Sequence, residues 1–328
     1  MTVVLVGSGV LLIAAALVDV VWTTVAAGSG AGPITSRLAR SLWRLSLAVH
    51  ARRPSHALLS FSGVAVVLAV LTSWITLALA GWALVFSATD GAVRATTTGV
   101  PAGLAGRLYF TGYTVFTLGN GDYVPGDGAW QLATVLAVAT GLILVTLSIT
   151  YLVPVASAVA LRRQLATYIA SLGGNPHEIL VRSWDGTDFG GLTQHLVSLT
   201  PLFHTSRQQH LAYPVLHYFH SGDRESAAAP NVVNLSQALH LLRHAVSPDV
   251  RPAPATLDPL DRAIGGFLGT VGAAYLAPAP PVPLAELPPL QDAGVPVTTA
   301  GEYEKTAAES EGRRSLLASL LTDDGWSV

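Results

Sequence analysis

The sequence predicts an all-α membrane protein, with bilayer-crossing helices in its first half and a mainly helical polar domain in its second. Three observations predict it. Hydrophobic residues make up 51% of the 328 residues and charged residues only 12%, about half the charged share of a soluble domain. The deficit is uneven: before residue 160 the acids are Asp19, Asp90, Asp122 and Asp127, and the remaining acids all follow. Three stretches are each long enough to cross a bilayer, which takes about 20 apolar residues.

The first stretch runs from about 3 to 27. It lacks a basic leader region and contains Asp19, so it is expected to be a spanning helix rather than a cleaved signal. A carboxylate is expensive in lipid, so Asp19 is expected to face protein or to reach an interface. The next segment, ITSRLARSLWRLSLAV, covers 34–49. Ile34, Leu38, Leu42, Leu45 and Val49 share one helical face, and Arg37, Arg40 and Arg44 fall on a neighbouring one. It is either an amphipathic helix on anionic inner-leaflet lipid or a loop whose arginines only set topology. The second span, from about 57 to 88, and the third, from about 129 to 160, carry no charge in their apolar runs.

Orientation follows from arginine. Arg37, Arg40, Arg44, Arg52 and Arg53 lie between the first two spans with no acid, and Arg162 and Arg163 follow the third. Positive loops stay cytoplasmic. This places the N-terminus and 89–128 outside, and 28–56 and the tail from about 162 inside. A multi-pass protein of the cell membrane is expected, with a cytoplasmic C-terminus. The net charge of −2 argues against a nucleic-acid partner, which would need a basic face, and the absence of cysteine excludes disulfides and thiol chemistry.

The external segment contains GLAGRLYFTGYTVFTLGNGDYVPGDG. Residues 102–116 suit a short helix that enters the membrane and turns back. TLGNG follows, and irregular backbone at membrane depth is tolerated where it lines a watery path or is buried in protein. For successive carbonyls to point at one axis, the backbone must alternate in hand, and glycine permits positive φ at little steric cost. Gly119 and Gly121 alternate with larger residues in the required way.

This strip, framed by an uncharged span on each side, resembles the pore loop of the tetrameric potassium-channel superfamily, whose filter reads T-V-G-Y-G-D. The resemblance covers about 58–160. It implies a pore module of outer helix, pore helix, filter and inner helix, preceded here by an extra N-terminal transmembrane helix. It implies a homotetramer, with potassium or sodium bound in passing by Thr117, Leu118, Gly119, Asn120 and Gly121 and concentrated by Asp122 at the outer mouth. Tyr109, Phe110, Tyr113 and Phe116 are placed behind the filter as its support. Gly141 stands where the family often has a hinge glycine in the inner helix, though a glycine there also permits close packing. Pro154 lies where a kink is expected.

The strip departs from the family at Asn120, which replaces an aromatic residue. A non-selective bacterial sodium/potassium channel of the family reads T-V-G-D-G, so weak potassium selectivity is expected. No arginine repeat of a voltage sensor is visible.

Residues 162–275 are expected to form a helical cytosolic domain. Asn175-Pro176 is a helix start, and no G-x-G-x-x-G follows a strand. His217 and His220 are three apart, and His240 and His244 are four apart on one face. Such pairs sense pH or hold a metal, or else only make hydrogen bonds. A proline-rich linker over 276–298 and a terminal helix or tail over 299–328 complete the division, which begins with 1–28 and 29–57 and places the pore module at 58–161. The expected function is passive cation conduction, not catalysis, with no cofactor. The alternatives are a membrane-anchored sensor with a vestigial pore and a potassium-transporter subunit.

Overall fold

The computed structural model describes residues 1–26 and 30–327. The division drawn between residues 28 and 29 therefore lies outside the described residues. Among the described residues, three helices are long and apolar enough to cross a membrane: α1 (Thr2–Val25), α3 (His56–Phe86) and α5 (Ala129–Leu172). Helix α2 (Pro33–Arg52) lies between the first two, and a short α4 (Leu104–Val115) lies between the last two. By Cα proximity the chain forms two compact units, Met1–Ser41 with Ala65–Pro154, and Leu42–Val64 with Val155–Val328.

In the first unit, α1 and α3 cross closely. A Cβ on Gly9 would lie 2.5 Å from the Gly81 carbonyl oxygen, and one on Gly81 would lie 2.7 Å from that of Gly9. Small residues let backbones approach in lipid, where helix association depends on van der Waals contact. Asp19 is fully buried. Its carboxylate accepts from the Trp74 indole N–H of α3 at 2.8 Å, the Ile34 and Thr35 amides at 2.7 and 3.1 Å, and the Thr35 hydroxyl at 2.6 Å. The two amides belong to the first turn of α2, whose orphan N–H groups and dipole favour a negative charge. The carboxylate thus faces protein and is fully engaged.

One feature departs from an all-α fold. Val93–Ala95 (β1) and Tyr123–Pro125 (β2) form a two-stranded antiparallel sheet, with Arg94 opposite Val124. These strands have three residues each, too short for a period-two pattern to show in sequence.

Helix α5 is continuous through Pro154. Proline removes one intrahelical hydrogen bond, and the boundary between the two units falls at this residue. At 1.5 Å per residue, its 44 residues span about 66 Å, roughly twice the ~30 Å hydrocarbon core.

The second unit packs α6 (Pro176–Ser183), α7 (Gly190–Ala212), α8 (Ala228–His244), α9 (Pro254–Ala274) and α11 (Ala300–Asp323) around one core. The Asn175 side chain caps α6 by accepting from the Glu178 amide at 2.9 Å, with Pro176 in the first turn. Residues 276–298, expected to be a linker, are instead strapped onto this core. Val282, Leu287, Leu290 and Val295 are buried in it, and a short α10 (Pro288–Asp292) lies within the strap. Proline enrichment signalled a stiff extended chain, but these apolar side chains give that chain a surface to bind.

Candidate functional site

Helix α4 is anchored at its start by Arg107. This guanidinium donates to the Ala102 carbonyl at 2.9 Å and the Ser87 carbonyl at 3.3 Å, and pairs with Asp90 at 2.8 Å. Its buried face carries Phe110, Tyr113, Thr114 and Val115. Phe110 meets Phe86 of α3 edge-on at 5.0 Å and Tyr113 at 5.4 Å, the geometry aromatic quadrupoles prefer. The Tyr113 hydroxyl donates to the Tyr123 carbonyl of β2. Phe116, expected beside these rings, is 48% exposed at the end of α4. At that end a Cβ on Gly141 of α5 would lie 1.8 Å from the Val115 carbonyl oxygen. Gly141 is therefore a point of close backbone contact between α5 and the end of α4.

The strip Thr117–Gly121 leaves α4 with φ of +59° at Thr117, +62° at Gly119 and +81° at Gly121. Every second residue is thus left-handed. Thr117 is the one non-glycine residue with positive φ among the described residues, an uncommon state for a β-branched side chain. The carbonyls of Thr117, Leu118, Gly119 and Asn120 accept no hydrogen bond among the described residues. Residues 117–120 are exposed in the single chain, so these four oxygens are open to solvent. The Gly121 carbonyl differs. It accepts from the Thr96 hydroxyl, and the Asp122 carbonyl accepts from the Thr96 amide at 3.0 Å. Gly121 supplies the bend, and its oxygen is turned toward the sheet.

Asn120, Tyr109 and Asp122 form a chain that spacing alone did not reveal. The Asn120 amide donates to the Tyr109 hydroxyl at 2.6 Å, and that hydroxyl donates to the Asp122 carboxylate at 3.0 Å. A recess of about 310 Å³ runs beside the strip, lined by Phe110, Tyr113, Thr117, Gly119 and Val138 among others.

The histidine pairs lie in the second unit. His217 donates through Nε2 to Asp323 at 2.6 Å and stacks on Tyr275 at 4.1 Å. His220 lies 3.0 Å from His56 Nδ1 and 3.8 Å from Asp324. The two side chains thus have separate partners, and their acids come from the last turn of α11. Arg162 of α5 joins the same cluster. It donates to the Leu216 and Phe219 carbonyls at 2.8 and 2.6 Å and reaches Asp324 at 3.4 Å. His240 and His244 do face each other, with ring centroids 4.6 Å apart. Among the described residues, no group of three or more histidines and acids is arranged to hold a metal.

Residues 69–158 match a family model described as "Ion channel". Three spanning helices and this match define the class: a membrane protein with an ion-channel domain. The chain belongs to the family of the Bacillus subtilis (strain 168) protein "Uncharacterized membrane protein YdjJ". The two are 34% identical over 318 residues, which covers 96% of this chain and 92% of that protein. No solved structure matches the chain.

Proposed function

We propose that four copies of this chain form a cation channel, with potassium passing along the carbonyls of residues 117–120 and sodium only weakly excluded. The observation that carries this reading is the alternation of backbone hand at Thr117, Gly119 and Gly121, which leaves a row of unpaired oxygens. Such a row replaces the hydration shell of a bare cation. One chain offers one strip, and a closed ring of strips needs symmetry. Fourfold symmetry is the solution used by the family that the sequence resembles. The apolar surface agrees: only 28%, 33% and 22% of the most apolar windows of α1, α3 and α5 are buried within the chain, which leaves wide faces for lipid and for neighbouring subunits.

In this reading Asp122 faces the outer entrance, the N-terminus is external, and the second unit is cytoplasmic. The test is ion flux from liposomes containing the purified protein, with potassium set against sodium. Discrete unitary steps in a planar bilayer are expected. Their absence under every condition tried, from protein shown to be tetrameric, would leave the chain a membrane-anchored sensor.

A further inference from the structure

We propose that the second unit carries a binding site for a small organic anion, a compact compound with one or two phosphate or carboxylate groups, in the cavity between α8, α11 and the proline-rich strap. The cavity encloses about 250 Å³ and is lined by Arg243, Arg313, Arg314, His240, His244 and Tyr303, with Leu239, Pro283, Leu284 and Leu317 supplying apolar wall. A cavity with convergent polar groups on an apolar wall is the usual form of a small-molecule site.

The sign of the ligand follows from a count of donors. Arg313 gives Nε to Ser236 at 3.0 Å and Nη1 to Asp261 at 2.5 Å, and its Nη2 is buried without a partner. Arg314 gives Nη1 to the Val282 carbonyl at 2.7 Å and Nη2 to the Ala307 carbonyl at 3.0 Å, and its Nε is likewise buried and unpaired. No carboxylate lies within ion-pair distance of Arg314 among the described residues. Tyr303 is 3% exposed, and its hydroxyl has no partner. Asp261 is shared between Arg243 and Arg313, and Asp258 pairs with Arg243 at 2.7 Å. Glu309, the remaining acid of the lining, is exposed. Two of the three unmet groups, on Arg313 and Arg314, can only donate, and the Tyr303 hydroxyl can donate or accept; buried donors left unmet are costly.

These groups fit an acceptor and repel a metal. Burial, followed by the charges of His244, Arg313 and Arg314, pushes His240 down to about 4, so it is neutral at pH 7. A guanidinium recognises phosphate and carboxylate through parallel charge-assisted bonds. A volume of about 250 Å³ suits a short phosphorylated or carboxylated compound. The site is joined through one helix to a second cluster of the same unit. Helix α11 lines the cavity, and its last turn carries Asp323, which bonds His217.

The binding claim is independent of conduction and is tested without flux. Full-length protein in nanodiscs is titrated calorimetrically at pH 7 with inorganic phosphate, glycerol 3-phosphate and succinate. Saturable binding of at least one probe, one per chain and at millimolar affinity or better, is expected. Arg243→Gln and Ala285→Trp, each checked by circular dichroism and thermal melting, remove a charged donor and fill the cavity. Each is expected to weaken binding by about tenfold or more. Preference for glycerol 3-phosphate over inorganic phosphate assigns an organic phosphate, and preference for succinate assigns a carboxylate. No binding by any probe below about 10 mM, or binding unchanged in both folded variants, overturns the site.

Discussion

The Asn120 side-chain amide and the Tyr109 hydroxyl lie 2.6 Å apart, and the hydroxyl passes the bond on to Asp122. A residue that replaces an aromatic ring is thus held sideways by a hydrogen bond instead of by packing. A bond worth about 1 kcal/mol net is a weaker brace than a buried ring. We expect potassium to be favoured over sodium by less than about tenfold. Asn120→Tyr should sharpen selectivity, and Tyr109→Phe should blunt it further. The reversal potential under bi-ionic conditions decides. A wild-type value near the potassium limit would sink the prediction.

Gly141 offers a choice between hinge and contact. A Cβ there would meet the Val115 oxygen at 1.8 Å, so Gly141→Ala must push the end of α4. We expect this variant to melt several degrees lower and to lose most of its flux. A hinge role alone would leave melting unchanged and alter only open probability, so a normal melting curve refutes the contact account.

Two histidines set an acid limit on the second unit. Burial, and then Arg162, pushes His210 down to about 3; burial, and then its charged neighbours, pushes His240 down to about 4. In the unfolded chain both titrate near 6.5. Below that pH the unfolded state takes up protons that the folded state refuses, so stability is full above about pH 6.5 and is lost as pH falls toward 4. The slope for His210 is about 1.4 kcal/mol per pH unit. Denaturant midpoints at pH 7.5 and 5 test this, and a His210→Gln variant that folds should show a shallower loss.

The alternating backbone of residues 117–121 was legible in part because its constraint is local. Alternating hand demands glycine at fixed spacing, and the two flanking apolar runs frame it. The Asn120–Tyr109–Asp122 chain was hidden because Tyr109 lies eleven residues away, on the preceding helix. The acids that meet His217 and His220 were hidden further: His217 and Asp323 are 106 positions apart. The proline-rich strap misled for another reason. Composition reports stiffness, while attachment depends on a few side chains, Val282, Leu287 and Leu290 among them, with no regular spacing.

Topology gives a fourth expectation. The chain has no cysteine, so single cysteines can be introduced one at a time. A cysteine at Thr2 is expected to react with an impermeant reagent from outside, and one at Ser310 only from inside. Labelling of both from the same side would overturn the three-span arrangement.

The engagement of Asp19 bears on how the protein is made. Its donors belong to residues that leave the ribosome later, Ile34 and Thr35 first and Trp74 last. Until then the first helix carries an unpaired carboxylate near its end, which costs less than a charge at a helix centre, about 2.5–3.5 kcal/mol, but still disfavours lipid. Insertion of α1 is therefore expected to depend on α2 and α3, and a chain truncated before Trp74 should insert α1 less efficiently than the full chain.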